Sequence, residues 1–332
     1  MSGAFGDAFA GRRVLVTGGA GFIGSNLARR LVDLGAEVVL VDALIPEYGG
    51  NLRNLGGIEE RVRLTIADVR DERGMMCLVQ NQDVLFNLAG QTSHLDSMTD
   101  PYTDLEMNCR SQLAILEAVR KRNSGLRIVY ASTRQIYGVP VRLPVDEDHP
   151  LRPTDVNGIN KMAAEWYHIL YHRVHGIQAC ALRLTNTYGP RMRVRDARQT
   201  FLGWWIRRVI DGEPIQVYGD GTQLRDFNYV DDVVDALLLA AARPEASGQV
   251  FNLGHPAPIS LKDVAALLLE VAGGGRSVVV PFPPDLERID IGHYYADYSR
   301  IRAALGWEPQ GELAEGLGRT VAYFREHRAF YW

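Results

Sequence analysis

Short apolar runs alternate with longer amphipathic stretches through the first 185 residues. Residues 14–16, 38–41, 63–67, 83–88, 127–131 and 178–184 are brief, largely β-branched or aliphatic runs. Runs of that length between polar breaks predict strands buried on both faces. Residues 25–31, 101–123 and 155–176 carry helical periodicity instead. This repeating strand–helix–strand order predicts an α/β protein with a doubly wound parallel sheet. Ligands of such sheets sit beyond the carboxyl ends of the strands. After residue 185 the rhythm changes. A basic, amphipathic segment (190–225) contains a strand at 215–218, helical patterns follow at 231–242 and 261–271, and residues 281–284 are proline-rich. We expect residues 1–185 to form the first domain, with the chain returning to it near 228–253. A second, smaller lobe lies mainly in 186–332. No internal repeat or low-complexity tract is present.

Composition narrows the picture by exclusion. The chain has 332 residues, 46% hydrophobic and 23% charged, with a formal net charge of −4. That balance predicts neither nucleic acid nor an acidic membrane surface as partner. No apolar run reaches membrane-spanning length, and residues 1–10 lack the basic start and apolar core of a secretory signal. Three widely spaced cysteines (Cys77, Cys109, Cys180) read as reduced core thiols, with no metal-ligand spacing. The expectation is a cytoplasmic protein without a metal site.

The chemistry begins where the first strand ends. Gly18, Gly21 and Gly24 follow Val14-Leu15-Val16-Thr17 in a turn that also holds Phe22 and Ile23 and opens the helix over 25–31. Three glycines so spaced allow a sharp turn, close approach to a pyrophosphate, and tight packing of helix on strand. The N–H groups at the helix start then face phosphates. The second strand ends in Asp42, about 20 residues on, where a carboxylate takes ribose hydroxyls. Residues 46–57 read as a loop over the cofactor. Asp68-Val69 closes the third strand, and Asp68 either accepts from an adenine amino group or is a plain loop aspartate. Leu88-Ala89-Gly90 closes the fourth with small residues that let a dinucleotide cross the sheet edge.

Six segments carry a resemblance: 17–24; 131–138 (Ala-Ser-Thr-Arg-Gln-Ile-Tyr-Gly); 153–161; 183–190 (Arg-Leu-Thr-Asn-Thr-Tyr-Gly-Pro); 219–227; and 305–309 (Leu-Gly-Trp-Glu-Pro). Together they resemble the extended short-chain dehydrogenases/reductases, in the branch of nucleotide-sugar epimerases and dehydratases. The resemblance covers nearly the whole chain. It implies a Rossmann-type fold with a substrate-binding lobe and NAD as cofactor, Asp42 disfavouring the 2′-phosphate of NADP. It adds Leu184 to the cofactor residues and Lys161 to the nicotinamide ribose. It also implies a nucleoside-diphosphate sugar as partner and a homodimer built on the 101–123 and 155–176 helices. Trp166, Tyr167, Ile169 and Leu170 give the second helix a broad apolar surface that serves an interface or internal packing equally well.

In that family a Ser/Thr, a Tyr and a Lys form the reaction centre. The lysine lowers the phenol pKa from about 10 so that the phenolate takes a sugar proton. Thr133 and Lys161 match two of the three. The position four before Lys161 holds Asn157, and an amide has no accessible proton equilibrium. Three readings follow. NAD-linked epimerisation survives with another acid/base, from Lys161, Asp155, His94, His149, Tyr137 or a water held by Asn157 and Thr133. The cofactor serves a different conversion, such as decarboxylation or reduction. Or the protein binds a nucleotide sugar without turning it over. The leading expectation is the first, an NAD-dependent epimerase.

Dehydratases of this family carry an acid pair directly after the Ser/Thr, to eliminate water across C5 and C6. Here those positions are Arg134 and Gln135, which argues against a 4,6-dehydratase. Arg134 faces an anionic group such as a sugar carboxylate, or is a solvated loop arginine. By resemblance Asn186 binds near the sugar or first phosphate. Arg225 pairs with the diphosphate, aided by Arg288 or by a member of the Arg191, Arg193, Arg195, Arg198 cluster. His293, Tyr294 and Tyr295 line the pocket or simply pack.

Overall fold

The structure is a computed structural model that describes residue 5, residues 7–198 and residues 200–332. Part of the 1–10 segment read above for a signal therefore lies outside the described residues. Seven strands form one sheet: β1 (Arg13–Thr17), β2 (Glu37–Asp42), β3 (Val62–Ile66), β4 (Val84–Asn87), β5 (Arg127–Thr133), β6 (Ala179–Leu184) and β7 (Val250–Asn252). Their order is β3-β2-β1-β4-β5-β6-β7, and every pairing is parallel. The order reverses between β1 and β4, so the loops after these strands part there and leave a crevice at their carboxyl ends.

Alternation along β1 shows how the sheet is sandwiched. Val14 and Val16 join the core beneath helix α1 (Phe22–Asp33), with Leu27 and Leu31. Leu15 joins the opposite core, with Ile115 and Val119 of helix α2 (Ser111–Arg122) and Tyr171 of helix α3 (Val156–His175). Burial of both faces is why these strands read as continuous apolar runs. The 101–123 pattern is not one regular helix. It opens as Pro101–Leu105, widens to a π-turn at Glu106–Arg110, and continues as α2.

Beyond β6 the chain builds three small ribbons: Asn186–Tyr188 with Phe227–Tyr229, Leu224–Arg225 with Ile259–Ser260, and Ile215–Tyr218 with Ser277–Val280. Helix Val230–Ala242 packs back against α1 before β7 closes the sheet. Cys180 is buried, Cys109 half-buried and Cys77 exposed, and all three are free. Cys77 therefore corrects the core-thiol expectation: it faces outward from a short helix whose buried contact is Met75.

Candidate active site

A continuous groove of about 660 Å³ runs over the carboxyl ends of the strands. Its floor is the glycine turn. Gly18 takes φ +69° and donates its N–H to Val41 O at 2.8 Å. A Cβ on Gly24 would stand 2.2 Å from Gly18 O, so no larger residue fits without moving the turn. α1 starts at Gly21 with no side-chain cap, and Gly18, Gly21, Phe22, Ile23 and Gly24 all line the groove. This is a concave backbone cradle at a positive helix end.

Asp42 sits at the rim, its carboxylate accepting from Ala20 N (3.0 Å) and Leu44 N (2.8 Å). Burial raises its pKa, against the pull of those donors. Asp68 and Val69 line the same end. Arg70 grips both Asp68 oxygens at 2.6–3.0 Å and holds the carboxyl below its ordinary range. Across the turn, Thr17 Oγ1 accepts from Leu88 N and Ala89 N (3.1 and 3.2 Å). That hydroxyl holds the Leu88-Ala89-Gly90 corner against Gly18.

Thr133 ends β5, Leu184 ends β6, and Lys161 projects from the second turn of α3; all three line the groove. Lys161 Nζ donates to Ala131 O at 3.2 Å and lies 5.1 Å from the Tyr130 ring centroid. Burial pushes its pKa down to about 8, partly offset by Asp104. Asn157 also lines the groove, yet its amide is engaged below. Nδ2 donates to Gln91 O (2.9 Å), Asp104 Oδ2 (3.0 Å) and Gln91 Oε1 (3.2 Å). Asp104, 1% exposed, also accepts from Asn108 and Asn160.

The other acid/base candidates separate cleanly. Tyr137 Oη donates to Asn252 Oδ1 (2.7 Å) and accepts from Arg183. His149 Nε2 accepts from Val141 N (2.9 Å). Both are buried outside the groove lining. His94 and Asp155 meet at 2.8 Å, and His94 lines the groove.

At the sugar end, Arg134 Nη2 donates to Asn186 Oδ1 (3.1 Å), whose amide donates to Asp226 O (3.0 Å). The guanidinium lies 5.3 Å from the Tyr294 ring centroid, and its Nη1 is buried with no hydrogen-bond partner. Arg225, 5% exposed, donates to Leu224 O and Gly292 O and pairs with Asp290 at 3.4 Å. Burial first, and Arg134 second, lower its pKa to about 10. Arg134, Asn186 and Arg225 face one groove.

Of the arginines expected beside Arg225, Arg198 lines the groove, while Arg191 and Arg288 stand outside its lining. Arg191 reaches Asn26 Oδ1 (3.1 Å from Nε) and fronts a separate, smaller cavity. Arg288 has a side chain 78% exposed, 3.7 Å from Asp285, and does not line the groove. Both come from segments whose path depends on packing that spacing alone does not determine.

Sequence reasoning overlooked two parts of the site. One is Asp104, whose only local signal was Asn108 four residues on, one helical turn away. The other is a set of aromatic side chains lining the groove, Trp204 with Tyr218 and Phe282, whose ring centroids lie 5.7 Å apart. It is assembled from a helix, a strand and a loop distant in the chain.

The sequence profile of the NAD dependent epimerase/dehydratase family matches residues 14–254. The chain belongs to this family. Among its relatives is a putative UDP-glucose 4-epimerase of Methanocaldococcus jannaschii, 31% identical over 95% of this chain and 99% of that protein. The structure is similar to a UDP-glucose 4-epimerase of Thermotoga maritima solved with UDP-glucose. Its TM-score is 0.88 at 32% identity, covering 95% of this chain and 99% of that one. It is also similar to MoeE5 solved with UDP-glucuronic acid and NAD, with TM-score 0.83 and 30% identity over 95% and 99%.

NAD is the cofactor of this epimerase/dehydratase family, and the groove fits it. The cradle left by Gly18, Gly21 and Gly24 has room for a pyrophosphate, Asp42 would offer its carboxylate to ribose hydroxyls, and the Lys161 ammonium has one carbonyl acceptor among the described residues. Bound there, NAD would supply a hydride acceptor and donor for a substrate carbon.

Proposed function

We propose that the protein is an NAD-dependent epimerase of a nucleoside-diphosphate sugar whose C6 carries a carboxylate. One ring carbon is transiently oxidised and then reduced on its other face. The observation that carries the substrate class is Arg134. It directly follows Thr133, yet one arm of its guanidinium is buried without a partner. A buried unpaired donor costs about 1–3 kcal/mol, and a planar carboxylate answers it with charge. A relative's solved complex with UDP-glucuronic acid and NAD supports the reading. The same clamp disfavours decarboxylation, because it stabilises the carboxylate more than a transition state in which that charge migrates. Asn186 and Arg225 then serve the sugar and the diphosphate.

Trp166 and Leu170 of α3 stand 55% and 41% exposed. Tyr167 and Ile169 are half-buried. This outer strip supports a homodimer through α2 and α3. Three free cysteines support a reducing, cytoplasmic setting.

The test is a panel of nucleoside-diphosphate glucose and glucuronate in D₂O, with products read by NMR. The expected product is an epimer of the uronate without deuterium at carbon. R134Q lowers kcat/KM for the uronate about 30- to 100-fold, the size of a charge-assisted contact of about 2–3 kcal/mol, and changes the neutral sugar little. Loss of carbon dioxide, deuterium at carbon, or no turnover of any sugar refutes the proposal.

A further inference from the structure

We propose that His94 and Asp155 form the acid/base pair of this site, where the family resemblance expects a tyrosine. The assignment rests on the epimerase reading above. His94 opens the short helix His94–Thr99 and lines the groove with Thr133, Asn157 and Lys161. Its side chain is 38% exposed, whereas the carboxylate of Asp155 is fully covered. Nδ1 lies 2.8 Å from Asp155 Oδ2, with the ring turned out of line for a formed hydrogen bond. Such contacts commonly align only when substrate is bound.

Asp155 is itself fixed. Its Oδ1 accepts from Gly158 N (2.6 Å) as the cap of α3, and its Oδ2 accepts from Gln135 Nε2 (2.9 Å). The two short first turns are also tied together. Asn157 N donates to Ser97 Oγ (3.2 Å), which donates to His94 O (2.7 Å). His94 therefore packs beside residue 157, the position expected to hold the tyrosine. No hydrogen bond to its Nε2 is formed among the described residues, and its Nδ1 is the buried atom without a partner. Asn157 has no ionisable group, and Tyr137 and His149 are committed elsewhere. Lys161 is left to bind and orient.

The proton balance is simple. The reacting sugar hydroxyl gives its proton to His94 Nε2. NAD⁺ held in the groove would take the hydrogen of the carbon bearing that hydroxyl with its bonding pair, leaving a carbonyl. The hydride would return to the opposite face of the carbonyl carbon while His94 Nε2 returns the proton to its oxygen, so nothing is consumed. Asp155 is the positioning residue: facing Nδ1, it selects the tautomer that leaves Nε2 bare.

H94Q, H94A and D155N test the pair. Asn still caps α3 at Gly158 but turns a donor toward His94 or Gln135. The expected result is a kcat at least about 100-fold lower in the His94 variants, nucleotide-sugar affinity by calorimetry within about 3-fold, and recovery of H94A by added imidazole. Histidine ¹⁵N spectra of the wild type should show the Nδ1–H tautomer at His94, lost in D155N. Turnover of H94Q close to wild type, no imidazole rescue, or a bare Nδ1 in the wild type overturns the assignment and passes the proton to Lys161. A wild type that turns over no sugar overturns the epimerase reading as well. Turnover lost only in the variants separates the two.

Discussion

Replacing Lys161 with Met should stabilise the cofactor-free protein while disabling it. Lys161 is 7% exposed and has one hydrogen-bond acceptor among the described residues, Ala131 O at 3.2 Å. Burial lowers its pKa from 10.5 to about 8. At about 1.4 kcal/mol per pKa unit, the folded state is penalised by about 3 kcal/mol for keeping the ammonium charged at pH 7. Methionine has similar length and no charge. Losing the bond to Ala131 returns about 1 kcal/mol, which leaves a net gain of about 2 kcal/mol. The pH dependence carries the sign. Between about pH 8 and 10.5 the unfolded wild type holds the proton and the folded one does not, so wild-type stability rises with pH there. K161M lacks that rise, and its advantage shrinks through this window. Urea unfolding of the cofactor-free proteins at pH 7 and 9.5 measures both effects. K161M less stable at pH 7, or a gap that does not narrow at pH 9.5, refutes the reasoning. With NAD present the order should invert if Lys161 holds the nicotinamide ribose, a contact K161M could not make.

Arg183 and Glu165 form a buried bidentate pair (2.6 and 3.0 Å), with Ser132 Oγ also donating to Glu165 at 2.6 Å. R183M strands a buried carboxylate at about 3–5 kcal/mol, a Tm fall of about 6–10 °C in calorimetry, and R183M/E165M should recover most of it. W166E/L170E should leave Tm nearly unchanged in a monomer but convert a dimer to monomers by sedimentation, because both side chains already face outward.

The cofactor half of the site was written locally. A glycine turn, the carboxylate closing β2 and the small residues closing β4 are backbone statements, each complete within a few residues of its strand. Parallel order followed from the same alternation, because strands buried on both faces must be covered by the helices between them. The sequence also named Thr133, Lys161 and the substitution at Asn157.

What it left open was which distant side chains meet. His94 and Asp155 come together only because the first turns of two helices pack through Ser97. Asp104 collects three amides from α3 and the π-turn for the same reason. Arg191 and Arg288 had suitable chemistry, yet one was drawn to Asn26 and the other to solvent. Local spacing determines backbone shape, since φ/ψ limits act residue by residue. The partner of a charge is decided by burial, and burial exists only once the elements have packed.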